Sequence, residues 1–311
     1  MTILPITPRS FRQVQGEHHE LLADHELEPR YPDRDRTLDE DEMIELVTGC
    51  RALIVGVDPV TDAVLAAGPL ALVVKYGAGL DNIDLDAAAR RVVVVVPTPG
   101  TNAPSVAELT ITMMLALARG LMFHHQGMVD GTRPRRVGVE LAGRQAGIIG
   151  FGNVGRRVAG LSRCLGMDVI VHDPLVATDA FEQVDMDRIL GSHVVSIHVP
   201  YDRTTHHLID REALAAMRPG ALLVNTSRPP IVDEQALADA LDDGHLGGAA
   251  FDDLSQDPEI SARLLASDRF IATPHCGAAT VESAVRTGTA TVRAVLEHRD
   301  LWQVSAETGR G

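Results

Sequence analysis

Gln145-Ala-Gly-Ile-Ile-Gly150-Phe-Gly152-Asn153-Val154-Gly155 is the stretch on which the reading of the whole chain turns. The apolar run Ala146–Ile149 reads as a buried strand. It ends in a GxGxxG and opens a helical pattern, Asn153–Leu165, with Val154, Val158, Leu161 and Leu165 on one face. In that context each glycine has a task. Gly150 allows the tight turn, Gly152 lets backbone approach a pyrophosphate, and Gly155 lets helix and strand pack closely. The phosphates then meet a helix N-terminus. A carboxylate should close the next strand, and Asp173 does so after Val169–His172. Such a carboxylate accepts from ribose hydroxyls and repels a 2′-phosphate, and Pro174-Leu175-Val176 offers no Arg to hold one. NAD is therefore expected rather than NADP.

Outward from this motif the chain alternates. Downstream, His193–His198, Ala221–Asn225, Gly248–Phe251 and Phe270–Thr273 read as strands, with helices at Asp185–Leu190, Arg211–Met217, Glu234–Asp242 and Val281–Glu297. Upstream, Ala52–Val57, Leu70–Lys75 and Val92–Val96 are short, β-branched runs suited to buried parallel strands. Ser105-Val-Ala-Glu108 resembles a capping box opening a helix that is apolar almost all round to Ala118. His124–Val139 reads as a basic loop. The acidic run Asp39-Glu40-Asp41-Glu42 reads as the first turn of a helix, where carboxylates complement the dipole.

Composition excludes several classes. The chain has 311 residues and a net charge of −15, so no basic face is expected for nucleic acid or an anionic membrane. Three cysteines without a CxxC make neither a disulfide framework nor a zinc site, and no metal is expected. Reduced thiols fit a cytoplasmic protein. Lys75 is the sole lysine among 28 basic residues.

A second constellation carries proton chemistry. Arg228, in Val224-Asn-Thr226-Ser227-Arg228, follows a strand and can hold a carboxylate through two parallel bonds. His275, in Thr273-Pro-His275-Cys276-Gly277, is a proton donor and acceptor at neutral pH. Asp257, before Pro258, is expected to orient His275 and favour its charged form.

These motifs, with Gly77-Ala-Gly79-Leu-Asp-Asn82, His198-Val199-Pro200, Val232-Asp-Glu234 and Ala250-Phe-Asp252, make the chain resemble the D-isomer-specific 2-hydroxyacid dehydrogenases, on their phosphoglycerate-dehydrogenase-like side and in a short form. The resemblance implies an α/β protein of two doubly wound parallel-sheet domains. A Rossmann NAD domain, residues 98–278, would be inserted into a flavodoxin-like substrate domain, residues 1–97 and 279–311. It implies a catalytic set of Arg228, Asp257 and His275, with Asp252 meeting the nicotinamide amide. Thr204, Thr226, Ser227 and Gly277 join the cofactor residues. Lys75, Tyr76, Gly77, Ala78, Gly79 and Asn102 join Arg228 and His275 on a small anionic substrate. It also implies a homodimer through the Ser105–Arg119 helix. The expected reaction moves a hydride between nicotinamide and a small D-2-hydroxy acid or 2-oxo acid, phosphorylated or not. The alternatives are a phosphonate or phosphite dehydrogenase and a non-catalytic NAD(H)-sensing, corepressor-like protein. Two positions depart from the family pattern: Asp257 replaces a Glu, and Pro229 replaces the Gly after the catalytic Arg.

Overall fold

The structure is a computed structural model that describes residues 2–303. The chain divides into two compact units, one running to Asn102 and resuming at Ala279, the other spanning Ala103–Ala278. The first boundary falls at Asn102, beyond the Pro97 expected, because Thr101 is held within the first unit. Its carbonyl accepts from Arg286 Nε at 2.9 Å and its hydroxyl from Thr287 at 2.9 Å.

The first unit contains β1 (Thr2–Pro5), β2 (Leu27–Arg30), β3 (Ala52–Val55), β4 (Leu72–Lys75) and β5 (Val94–Pro97). β1 pairs with β2, β3 with β4, and β4 with β5, all parallel. A parallel bridge from Ile6 to Ile54 joins the two groups, so the strands run 2-1-3-4-5, the flavodoxin-like order. β3 and the first three residues of β4 are apolar and buried on both faces, as a covered parallel sheet requires. β1 and β2 are not evident from sequence. Each has four residues, and β2 carries Glu28, Pro29 and Arg30. Asp39 caps Glu40–Val47 with Glu42 in a full capping box, as the acidic run suggests.

The second unit contains β6 (Gln145–Ile149), β7 (Asp168–His172), β8 (Glu182–Gln183), β9 (Val194–Ile197), β10 (Leu222–Asn225), β11 (Gly248–Phe251) and β12 (Phe270–Ala272). The sheet order is 12-11-10-9-6-7-8, with every pairing parallel. The order reverses between β6 and β9, which places a ligand crevice beyond their C-terminal ends. Strand residues alternate between two cores. Ile148, Val224 and Ala250 pack on one face with Met113, Met114 and Val158. Ile149, Leu223 and Phe251 pack on the other with Ile189 and Leu237.

Three expectations need correction here. The apolar helix spans Ala103–Arg119, so Ser105 lies inside its first turn rather than at its cap. Pro104 explains the earlier start, because proline suits a first turn where its missing N–H costs nothing. Leu121–Val129 is a second helix, not loop. Pro258–Ala266 is a helix that the sequence reading left out. Among the described residues no single helix is long and apolar enough to cross a membrane.

Candidate functional site

The glycine loop is built by close contact. Gly150 has φ +89°, and a Cβ there would lie 2.7 Å from the His198 carbonyl carbon. A Cβ on Gly155 would lie 1.9 Å from the Gly150 oxygen. Only glycine allows β6, β9 and the helix Asn153–Cys164 to meet this way. That helix starts at Gly152 without a side-chain cap, and the space around Gly152 is open. Its first N–H groups, with Asn153 and Val154, are a cradle that suits a pyrophosphate, so the residues present fit a dinucleotide. Arg156, which sequence reasoning missed, bonds Phe151 O at 2.9 Å and brings a cation to this loop.

Asp173 is more committed than expected. Its Oδ2 accepts from Phe151 N at 2.7 Å, and its Oδ1 from Leu175 N at 2.8 Å and Val176 N at 3.1 Å. It therefore ties the glycine loop to the end of β7 and turns the chain after Pro174. A carboxylate has about four acceptor positions, so room remains for one ribose hydroxyl.

At the end of β9, His198 lies in a chain of hydroxyls. Ser196 Oγ is 2.9 Å from Nε2, Thr226 Oγ1 is 3.5 Å from Nδ1, and Thr226 is 3.0 Å from Thr110. Thr110 spends its own proton on Val106 O. Thr226 thus donates to Thr110 and accepts from Nδ1–H, while Ser196 donates to Nε2. The ring is neutral, and burial lowers its pKa to about 3. Val199 and Pro200 continue the crevice wall. Thr204 lies in an exposed turn, where its N–H and hydroxyl both donate to Asp202 Oδ1.

Arg228 follows β10. Asn225 folds this turn, accepting from Ser227 N at 2.9 Å and donating to Arg228 O at 2.9 Å. Ser227 Oγ adds a bond to Ile197 O. Pro229–Ile231 form one 3₁₀ turn.

His275 follows β12 and takes φ +52°, a left-handed backbone uncommon outside glycine. The buried Asp252 carboxylate holds this loop, accepting from Thr273 Oγ1 at 2.6 Å, Cys276 N at 2.8 Å and Gly277 N at 2.7 Å. A Cβ on Gly277 would strike that carboxylate at 2.6 Å. Burial raises the Cys276 thiol, which keeps it protonated.

The expected pairing of Asp257 with His275 is corrected by the structure. Asp257 Oδ1 caps Pro258–Ala266, accepting from Glu259 N at 3.0 Å and Ile260 N at 3.2 Å. The carboxylate that reaches His275 Nδ1, at 3.1 Å, is Asp253 Oδ2. An aspartate after a turn and before proline favours the cap over a longer reach.

The substrate-loop expectations in the first unit also change. Lys75 is 4% exposed, and its Nζ donates to Gly56 O and Asn82 Oδ1. Asn82 Nδ2 in turn donates to Asp58 O. Tyr76 turns inward and donates to Ala284 O at 3.1 Å. Gly77, at φ +126°, donates its N–H to Thr98 Oγ1 at 2.9 Å. That leaves the exposed Ala78, with Gly79, as the loop's tip. Asn102 ends the unit, half-buried.

A family model described as "D-isomer specific 2-hydroxyacid dehydrogenase, NAD binding domain" matches residues 111–277. The chain is 41% identical to an (S)-sulfolactate dehydrogenase of Chromohalobacter salexigens, covering 83% of this chain and 88% of that protein. It is 38% identical to a hydroxypyruvate reductase of Thermotoga maritima, covering 81% and 85%. Among solved structures it is similar to a D-lactate dehydrogenase from Aquifex aeolicus complexed with NAD and lactic acid. There the TM-score is 0.82 at 27% identity, over 96% of each chain.

Two measurements test this description. The folded His198 pKa lies below the unfolded value of 6.5, so the unfolded chain binds more protons between them. Stability is full above pH 6.5 and falls as pH drops toward 3, with a slope of up to about 1.4 kcal/mol per pH unit. Urea unfolding at pH 7.5 and 5 should show wild type losing about 2 kcal/mol more than His198→Asn. Equal losses would mean the imidazole charges freely in the native state. Second, Lys75→Met should lower the first unit's stability by ~1–3 kcal/mol, since Gly56 O and Asn82 Oδ1 lose a buried donor. Unchanged unfolding with a raised KM for an oxo acid would return Lys75 to the substrate.

Proposed function

Because this chain belongs to the D-isomer specific 2-hydroxyacid dehydrogenase family and is an NAD-dependent oxidoreductase, we propose that it interconverts a small D-2-hydroxy acid and its 2-oxo acid. The observation that carries the reading is one unit's sheet edge. The C-terminal ends of β6, β10 and β12 bring a dinucleotide cradle, a guanidinium and an imidazole to one side of one sheet.

Bound NADH supplies the hydride to the carbonyl carbon. The chain does the rest. Arg228 holds the carboxylate through parallel N–H bonds and polarises the adjacent carbonyl. His275 gives a proton from Nε2 to the carbonyl oxygen and takes it back in the oxidation direction. His198, held neutral, adds no charge beside Gly150. The role of Ala78 and Gly79 toward the substrate's anionic end is the one the resemblance implies. Lys75 is no longer proposed as a contact, so a phosphate is not required of the substrate.

A homodimer is part of the proposal. The Ser105–Arg119 helix spends most of its apolar face inside its own unit, with Ala107, Met113, Met114 and Ala118 buried. Leu115 on that helix, Leu121, Met122, Met128 and Val129 on the next, and Val137 beyond remain exposed and give a surface for a second copy. A cytoplasmic setting suits the three free thiols, Cys50, Cys164 and Cys276.

Purified protein with NADH should reduce at least one of pyruvate, hydroxypyruvate, sulfopyruvate and phosphohydroxypyruvate, and should work less well with NADPH. Arg228→Ala should cost about a hundredfold or more in kcat/KM while NADH still binds. NADH binding without consumption across the panel would leave a sensor. Sedimentation should give twice the chain mass of 33.4 kDa, and Met128→Asp should yield monomer; a wild-type monomer ends the dimer proposal.

A further inference from the structure

We propose that Asp253, not Asp257, is the acid that positions His275. This rests on the dehydrogenase reading above and names a residue that reading does not require. Asp253 Oδ2 is 3.1 Å from His275 Nδ1. Its other oxygen accepts from Leu254 N at 2.9 Å, so the carboxylate has a fixed direction. The loop beneath it is pinned at Ser255, whose N–H donates to the buried Glu234 at 3.2 Å and whose carbonyl accepts from Ser261 Oγ at 3.0 Å. On the other side Asp252 holds both flanks of His275, through the Thr273 hydroxyl before it and the Cys276 and Gly277 N–H groups after it. Adjacent carboxylates therefore divide the work, Asp252 on the histidine's backbone and Asp253 on its ring.

Asp257 is withdrawn from that task by its own cap. Its Oδ1 serves two N–H groups of the helix it opens, and Pro258 fixes the backbone right after it. With Nδ1–H given to Asp253, Nε2 is the nitrogen left to exchange a proton with substrate. Asp253 is thus a positioning residue. Both side chains are more than a third exposed, at 36% and 38%, so the pair adds little to folding and its loss should be read in rate.

The test compares three variants with hydroxypyruvate, or the best oxo acid of the panel, and NADH. Asp253→Asn should lower kcat by about ten- to a hundredfold, with KM and the NADH dissociation constant unchanged. Asp253→Glu should recover most of that loss, since it restores the carboxylate. Asp257→Ser keeps a capping oxygen and removes the charge, and should leave kcat at the wild-type level. If Asp253→Asn retains full kcat, or if Asp257→Ser loses as much, the assignment is overturned. Failure of wild type to turn over any oxo acid is a different result, which removes the dehydrogenase reading itself.

Discussion

The Asp252 carboxylate, 5% exposed, fastens the end of β11 to the chain leaving β12. A buried carboxylate is tolerable only when it is hydrogen-bonded, and Thr273, Cys276 and Gly277 supply three bonds to it. Removing Asp252 would strand the Cys276 and Gly277 N–H groups and release the hold on the left-handed backbone of His275. The histidine's strained conformation exists because its neighbours over-determine it. The Gly277 position follows too, since no side chain fits between that backbone and the carboxylate.

The first unit uses the same device with the sign reversed. There a buried cation, Lys75, gathers Gly56 O and Asn82 Oδ1, while Thr98 Oγ1 accepts from Gly77 N and donates to Lys75 O. Asp58 is anchored in turn by Thr7 and by Leu38 N. The loop Tyr76–Gly79 is thereby held from below rather than from the solvent side. A flexible lysine suits such a role better than a forked guanidinium, because a compact ammonium can place three donors at one point.

What was legible in the sequence is what repeats or has a steric reason. The glycine loop and the turn at Asp173 could be placed because each is the residue type that its turn demands. β3 to β7 and β9 to β12 could be placed because strands of a covered parallel sheet are short, continuous apolar runs. β1 and β2 could not, because four residues carrying Pro or paired charges show no period. The exchange of Asp257 for Asp253 was hidden for another reason. A motif fixes position along the chain, while hydrogen-bond reach depends on one methylene and on whether a helix begins there. The partners of Lys75 were hidden likewise, since a cation at a strand end looks alike whether it turns outward or inward.

Pro229 and Pro230 show how a departure from pattern can support the site it alters. A residue before proline is restricted to extended backbone, and Arg228 has φ −134° and ψ 142°. The first proline thus narrows the guanidinium's stem to the conformation it needs. Neither proline has an N–H to satisfy, and their carbonyls are used: Val232 N donates to Pro229 O at 3.0 Å and His207 N to Pro230 O at 2.8 Å. Glycine at position 229 would leave the turn more freedom to lose on folding. The side chain of Asn225 then closes the turn from the strand side, bonding Arg228 O and Ser227 N. Arg228 is held through its backbone by residues on both sides, and its guanidinium is tied to the same turn, Nη1 donating to Ser227 O at 3.1 Å.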